Sequence, residues 1–322
     1  MPPDQGVKAD FRTYLVAFLT IVLWASAFAG VRAGLVSYTP ENIALLRYLT
    51  ASIVLVIYAV LIKMPLPHRQ DLPGLFGTGL AGFTIYNLAL NYGEQRIEAG
   101  TASLLVAAAP VFVALLAGIF FGERLRLWAW LGILLSFVGV AIISIKPAGG
   151  LQLSLYALFV LLAALSIASY TVGQKPFLKR YTPLQFVTYS IWSGTVFLLI
   201  FTPGLIRQMQ TARLSASLAV VYMGIFPGVI GYIGWSYVLA RLPAGRAGSF
   251  MYVTPLAATL IAWLWLGELP GISALIGGSF IIAGVVVVNV LGRRSSAAAA
   301  PGESSATSPA GTSEEQAGRA ES

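Results

Sequence analysis

Residues 99–123 read AGTASLLVAAAPVFVALLAGIFFGE, and residues 244–268 read AGRAGSFMYVTPLAATLIAWLWLGE. Ala99-Gly100 and Ala244-Gly245 open the two stretches, Ala102 and Ala247 follow, Pro110 and Pro255 stand in the middle, and Gly122-Glu123 and Gly267-Glu268 close them. The register continues without a gap: Gly132 matches Gly277, and Gly139-Val140 matches Gly284-Val285. Upstream, Tyr92 and Arg96 match Tyr237 and Arg241, all at an offset of 145 residues. Still earlier, Ser26 and Tyr38-Thr39-Pro40 match Ser169 and Tyr181-Thr182-Pro183 at an offset of 143. Single glycines carry little weight, but a gap-free register over three helix lengths marks an internal duplication.

What is duplicated is membrane-embedded. Of 322 residues, 57% are hydrophobic and only 10% are charged, with a mean hydropathy of +0.82. A soluble domain carries about 25% charged residues. Twelve acids and twenty bases cannot clothe a water-facing surface of this size. A helix needs roughly 20 apolar residues to cross a core of about 30 Å. Ten stretches qualify: 14–34, 41–62, 73–92, 100–121, 127–145, 151–172, 183–202, 215–240, 246–266 and 271–291. Short connections rich in Pro and Gly join them, such as Pro65-Leu66-Pro67 and Thr202-Pro203-Gly204. With the N-terminus placed in the cytoplasm, thirteen Lys and Arg fall on inner segments and five on outer ones. The positive-inside rule therefore predicts both termini cytoplasmic, in the plasma (bacterial inner) membrane. The Ala25-Ser26-Ala27 run resembles a signal cleavage site, but apolar character continues to Gly34 and the repeat needs this helix as a partner.

The fold class expected is an all-α membrane protein of ten transmembrane helices in two inverted five-helix repeats. The repeats occupy residues 1–147 and 148–294, and a disordered cytoplasmic tail of Ser, Ala, Gly, Pro and Glu occupies 295–322. An odd number of helices per repeat makes the second copy insert upside down. Inverted repeats place a binding site near the midplane, between the copies, where it opens to each side in turn. The duplication, the mid-helix prolines, the Gly-Glu pairs and the Tyr-Thr-Pro turns resemble the ten-helix EamA-type branch of the drug/metabolite transporter superfamily. That resemblance spans residues 14–291. It implies an exporter of amino acids, including aromatic ones, or of other small metabolites. It also implies that the first, third, fourth, sixth, eighth and ninth helices line the cavity.

Polar side chains inside lipid are costly and mark cavities or helix contacts. Thr84, Asn87, Asn91 and Glu94 recur at steps of three, four and three, on one helical face. Ser166, Ser169 and Tyr170 form a second stripe, and Tyr232, Trp235 and Ser236 a third. Trp24 and Ser26 sit in the middle of the first span. All of these except Glu94 are expected to line a substrate cavity in which aromatics stack on the solute. Arg47 is a cation inside a span whose repeat partner is Ser190. It can receive a carboxylate, close a gate or snorkel to the headgroups. Pro110 and Pro255 each free an upstream carbonyl and are candidate hinges. The acids of Glu123 and Glu268 are expected at the start of the next helix, where the dipole favours them.

The same residues exclude much. The chain has no Cys, and its one His, His68, lies in a polar loop, so no metal site, cofactor site or nucleophile is expected. An intramembrane enzyme is therefore disfavoured. The charge of +8 is scattered between apolar runs, which suits a lipid bilayer and not a nucleic acid. No acid stands near the middle of a span, so a carboxylate proton relay finds no support at this level. The partners expected are a small-molecule substrate and the bilayer, with the chain a monomer or homodimer. A broad-specificity drug or cation exporter and a passive metabolite channel are the alternatives.

Overall fold

The computed structural model describes residues 11–122, 127–144, 154–242, 247 and 250–291. The expected tail and the connections holding Glu123, Lys146 and Arg246 lie outside the described residues. Those described form helices and turns with no strand. In chain order the α-helices are α1 (Phe11–Gly34), α2 (Pro40–Leu61), α3 (Leu72–Gly79), α4 (Tyr86–Gly93), α5 (Ala99–Val106), α6 (Ala109–Phe121) and α7 (Leu127–Ser144). Then come α8 (Leu155–Gly173), α9 (Pro183–Leu198), α10 (Thr202–Met209), α11 (Leu214–Ile225), α12 (Gly231–Leu239), α13 (Thr254–Leu266) and α14 (Ile272–Val286). Helix occupies part of each of the ten apolar stretches. Among the described residues, six helical runs are long and apolar enough to cross a membrane, and three shorter apolar helices accompany them. The run from α3 to α4 is interrupted by a π-helical segment, Leu80–Ile85, and the run from α11 to α12 by another, Phe226–Ile230.

Local chemistry accounts for the helix ends. Gly122 and Gly267 terminate α6 and α13 with φ of 65° and 71°, a left-handed conformation that only glycine adopts without a Cβ penalty. This is why Gly stands in both Gly-Glu pairs. Thr182 caps α9 in a reciprocal capping box with Gln185. Thr39 has no such partner nearby, and its N–H donates instead to Gln208 Oε1 at 3.0 Å, from 169 residues away. The Tyr-Thr-Pro turns also reach across the molecule. The Tyr38 hydroxyl pairs with Ser217 Oγ at 2.6 Å, beside the start of α11, and the Tyr181 hydroxyl donates to Asp71 Oδ2 at 2.7 Å, beside the start of α3.

Lipid tails are as apolar as leucine, so burial gives helices little reason to associate in a bilayer; close van der Waals fit must do it. The contact of α7 with α14 is built that way. A Cβ on Gly132 would lie 2.6 Å from the Gly284 carbonyl oxygen, and one on Gly139 would lie 2.3 Å from that of Gly277. The two helices therefore cross backbone to backbone and run antiparallel. Between these glycines Ser136 Oγ donates to the Ile281 carbonyl at 3.3 Å. Further contacts of this type join α3 to α9 at Gly79 and Gly194, and α2 to α11 at Gly224.

Buried apolar side chains gather in two main clusters, and each draws on both halves of the chain. One joins Ile43, Leu45, Tyr48 and Phe83 to Tyr170, Phe186, Tyr189 and Met223; the other joins Phe28, Leu105 and Val111 to Val160, Ala258 and Ile281. The repeats thus share their cores. Leu256, Leu264, Ile272, Val60 and Ile119 are largely exposed on the outside, as lipid-facing side chains must be. Trp128, Trp130, Trp263 and Trp265 are about half exposed and belong to that same outer face.

Candidate functional site

The π-helical segments Leu80–Ile85 and Phe226–Ile230 occupy equivalent places in the duplication, and the central aromatic cluster forms around them. A π turn leaves carbonyls without their usual partner, which is one reason such segments recur at functional sites. The Trp24 indole Nε1 donates to the carbonyl of Pro227, in the second of these segments, at 3.2 Å. Its ring lies 5.4 Å from that of Tyr232 and 5.2 Å from that of Trp235, both on α12. In the other π segment, Phe83 contacts Tyr48 edge-on at 5.4 Å, Tyr170 at 5.3 Å and Tyr232 at 6.0 Å. Gly82 allows this, because a Cβ there would stand 2.5 Å from the Tyr170 ring. Helices α1, α2, α8 and α12 thereby meet both π segments in one aromatic lattice.

Beside the lattice stands Arg47, 7% exposed. Its Nη1 donates to Asn87 Oδ1 at 3.2 Å, its Nε meets no acceptor, and no carboxylate among the described residues pairs with it. Asn87, fully buried, donates in turn to the Tyr48 hydroxyl and the Phe83 carbonyl, both at 2.9 Å. A guanidinium held this way, with a free N–H and no ion-paired carboxylate among the described residues, is a natural receptor for a carboxylate.

The structure brings Trp24, Tyr170, Tyr232, Trp235, Asn87 and Arg47 to this centre. Ser26 lies on its flank, donating to the Leu23 carbonyl at 2.7 Å and 2.8 Å from the Tyr222 hydroxyl. Thr84 donates to the Gly194 carbonyl and Asn91 to the Pro40 carbonyl, each at 2.9 Å, so both span helix contacts. Asn91 Oδ1 has no partner among the described residues. Ser169 and Ser236 donate to carbonyls one turn back in their own helices. Ser166 is buried on α8. Pro110 and Pro255 lie in the first turns of α6 and α13, immediately after a turn at residues 107–108 and a 3-10 turn at Met251–Val253. The break in each helix therefore precedes its proline.

Sequence reading missed Tyr48, Phe83 and Tyr222. Phe83 precedes Asn87 by one turn, and that spacing was the signal available. Glu268 takes a place other than the expected one. Its Oε2 accepts from the N–H of Ala99, at the start of α5, and its Oε1 pairs with Arg32 at 2.8 Å. It does meet a helix N-terminus, but one 169 residues earlier in the chain.

These features define a polytopic helical membrane protein with an aromatic and cationic centre. The sequence profile of the EamA-like transporter family matches residues 11–145 and again 154–290, and the chain belongs to that family. It is a membrane transporter, not an enzyme. It is similar to "Uncharacterized transporter YdfC" of Bacillus subtilis, 45% identical over 83% of this chain and 87% of that one. It is 41% identical to "Probable terminal-alkyne amino-acid exporter" of Streptantibioticus cattleyicolor, over 86% of this chain and 93% of that one. A third relative, at 26% identity, covering 87% of this chain and 95% of its own length, is "Probable amino-acid metabolite efflux pump" of Escherichia coli. One solved crystal structure superposes with a TM-score of 0.59 over 87% of this chain and 97% of the other, at 20% identity, a likeness of fold alone.

Proposed function

We propose that the protein exports small zwitterionic metabolites, amino acids first, by alternating access between two inverted five-helix repeats. The observation that carries the substrate class is Arg47, a buried cation with an open N–H beside an aromatic lattice. It would receive the substrate carboxylate, while Trp24, Tyr170 and Tyr232 pack against the side chain. A cationic centre disfavours cationic drugs, and the relatives named as amino-acid exporters favour the same substrate class.

The inversion has its own support. Gly132 and Gly139 have the repeat counterparts Gly277 and Gly284, and they contact them crosswise, 132 to 284 and 139 to 277. Ser136, between them, touches its own counterpart, Ile281. In α2 and α9, Ser52 Oγ lies 2.8 Å from its counterpart Thr195 Oγ1. Residues that touch their own copies lie on a two-fold axis, and antiparallel copies put that axis in the membrane plane. Ten crossings, cytoplasmic termini and a place in the plasma membrane follow from this reading and from the Lys and Arg distribution. The transporting unit is a monomer or homodimer. The polar stripes line the route, and the breaks before Pro110 and Pro255 are its hinges.

The test uses protein in liposomes with labelled phenylalanine and phenylalanine amide. Arg47→Gln should cut carboxylate-substrate flux about 10- to 100-fold, matching a charged hydrogen bond of about 1.5–3 kcal/mol, and spare the amide. Equal losses for both solutes, or none, refute the anchor. Saturable flux with counter-transport stimulation is expected; a linear, unsaturable flux would mean a channel.

A further inference from the structure

One buried carboxyl stands outside the roles assigned so far. Glu94 follows the last residue of α4 with no solvent exposure, and neither carboxylate oxygen accepts a hydrogen bond among the described residues. Its neighbour Arg32, in the last turn of α1, is occupied elsewhere. Arg32 Nη1 donates to the main-chain carbonyl of Glu94 at 2.7 Å, while Nε and Nη2 both reach Glu268 Oε1 at 2.8 Å. One guanidinium thus ties α1 to the segment after α13, across 236 residues, while a second carboxyl waits beside it.

The other groups around Glu94 do not satisfy it. Glu98, half-buried, adds a like charge near Glu268 and Arg32. Glu41, on α2, accepts from the Tyr92 hydroxyl at 3.0 Å, and Arg96 is exposed. Arg47, on α2, and Tyr86, on α4, are the remaining ionisable groups that act on it. On the α8 side, Gly93 packs against Val160 and the Tyr156 carbonyl, and α8 carries no Asp, Glu, Lys, Arg or His. A fully buried carboxylate with no donor among the described residues is unstable in its charged form and holds a proton instead.

We propose that Glu94 is a proton-binding site that controls the Arg32–Glu268 closure. Protonated, it leaves Arg32 to Glu268 and this end of the molecule stays shut. Ionised, it draws Arg32 off Glu268 and this end opens. Opening breaks the Glu94 O–H bond and sends the proton to the aqueous phase at that end; closing re-forms the bond with a proton from the same phase. The inference rests on the alternating-access reading, and it places the proton site at a helix end, where the search for acids near the middle of a span did not reach.

The chain has no native cysteine, so Val36→Cys with Leu269→Cys reports on this end, and Gln70→Cys with Leu178→Cys on the other, near Arg180 and Asp71. Spin-labelled full-length protein in lipid nanodiscs is measured by electron–electron double resonance from acid to alkaline pH. The expected result is a long-distance population at the Val36–Leu269 pair that grows with pH. Glu94→Gln should keep that pair short at every pH, and Glu268→Gln should keep it long. An identical titration with and without Glu94 overturns the proton site and leaves alternating access standing; immobility at both ends under every condition sinks both. Should Glu94→Gln fail to fold, infrared titration of the wild-type protein decides. A protonated-carboxyl band lost in step with the distance change supports the proposal, and complete ionisation throughout refutes it.

Discussion

Replacing Gly139 by alanine puts a Cβ 2.3 Å from the Gly277 carbonyl oxygen and 2.8 Å from the Ile281 nitrogen. Ordinary contact begins at 3.4 Å, and both obstacles are backbone, so neither can swing aside. The α7 and α14 axes must separate by roughly an ångström, and a gap of that size forfeits a quarter to a half of each dispersion contact along the seam. Overpacking of this kind costs about 1–3 kcal/mol, and rigid obstacles place Gly139→Ala at about 3 kcal/mol. Gly277→Ala meets the Gly139 oxygen at 2.5 Å and should cost about the same. The two changes force one separation, so the double variant should lose about 3 kcal/mol, not the sum. Gly77, with nothing within 4 Å of its Cβ position, is the control. Alanine there should be neutral or stabilising by up to about 1 kcal/mol through helix propensity. The assay is equilibrium unfolding in mixed micelles, followed by circular dichroism. Additive losses in the double variant, or a neutral Gly139→Ala, would refute the crosswise glycine seam and the symmetry argued from it.

Two further outcomes concern the other end and the centre. The Tyr181 hydroxyl, with Arg180 beside it at 2.7 Å, holds the Asp71 carboxyl below its usual range. The stabilisation is therefore present above the ordinary carboxylate pKa of about 3.9 and lost as pH falls through the lowered folded value. The wild-type melting temperature should drop in that acid window, and Asp71→Asn should lie lower at neutral pH and show no such step. In the aromatic lattice, Gly82→Ala pushes the Tyr170 ring off Phe83, and Trp24→Ala removes the indole from the Pro227 carbonyl. Each should lower flux about tenfold, the effect of about 1.4 kcal/mol on a barrier, with unchanged membrane abundance; normal flux in either would detach the lattice from transport.

Much of this protein is legible before any coordinates. Apolar run length and the scarcity of charge reveal the membrane helices, because lipid leaves a backbone few choices. The repeat is legible because the glycines at 132, 139, 277 and 284 are held in place by backbone contact. Periodicity put Thr84, Asn87, Asn91 and Glu94 on one face, and there its power ended. Asn87 faces Arg47, Asn91 faces the start of α2, Thr84 faces α9, and Glu94 is sealed beside Arg32. A 3.6-residue period assigns a side chain to a face of its own helix and says nothing of what stands opposite. The π segment Leu80–Ile85 was likewise hidden, since it carries neither proline nor a charge to announce the change of pitch.

The sequence by itself determined the solvent, the duplication and the residues that end the helices, because each follows from transfer energy or from a local backbone conformation. Only the tertiary structure decided which polar groups go unpaired. Among the described residues Arg47 keeps a free N–H, Arg32 spends its charge on Glu268 and Glu94 is left without a donor, all through contacts between helices far apart in the chain. Pairing depends on distance in space, and in a bundle whose two halves share their cores that distance is set by how the copies pack, not by the order of residues along either one.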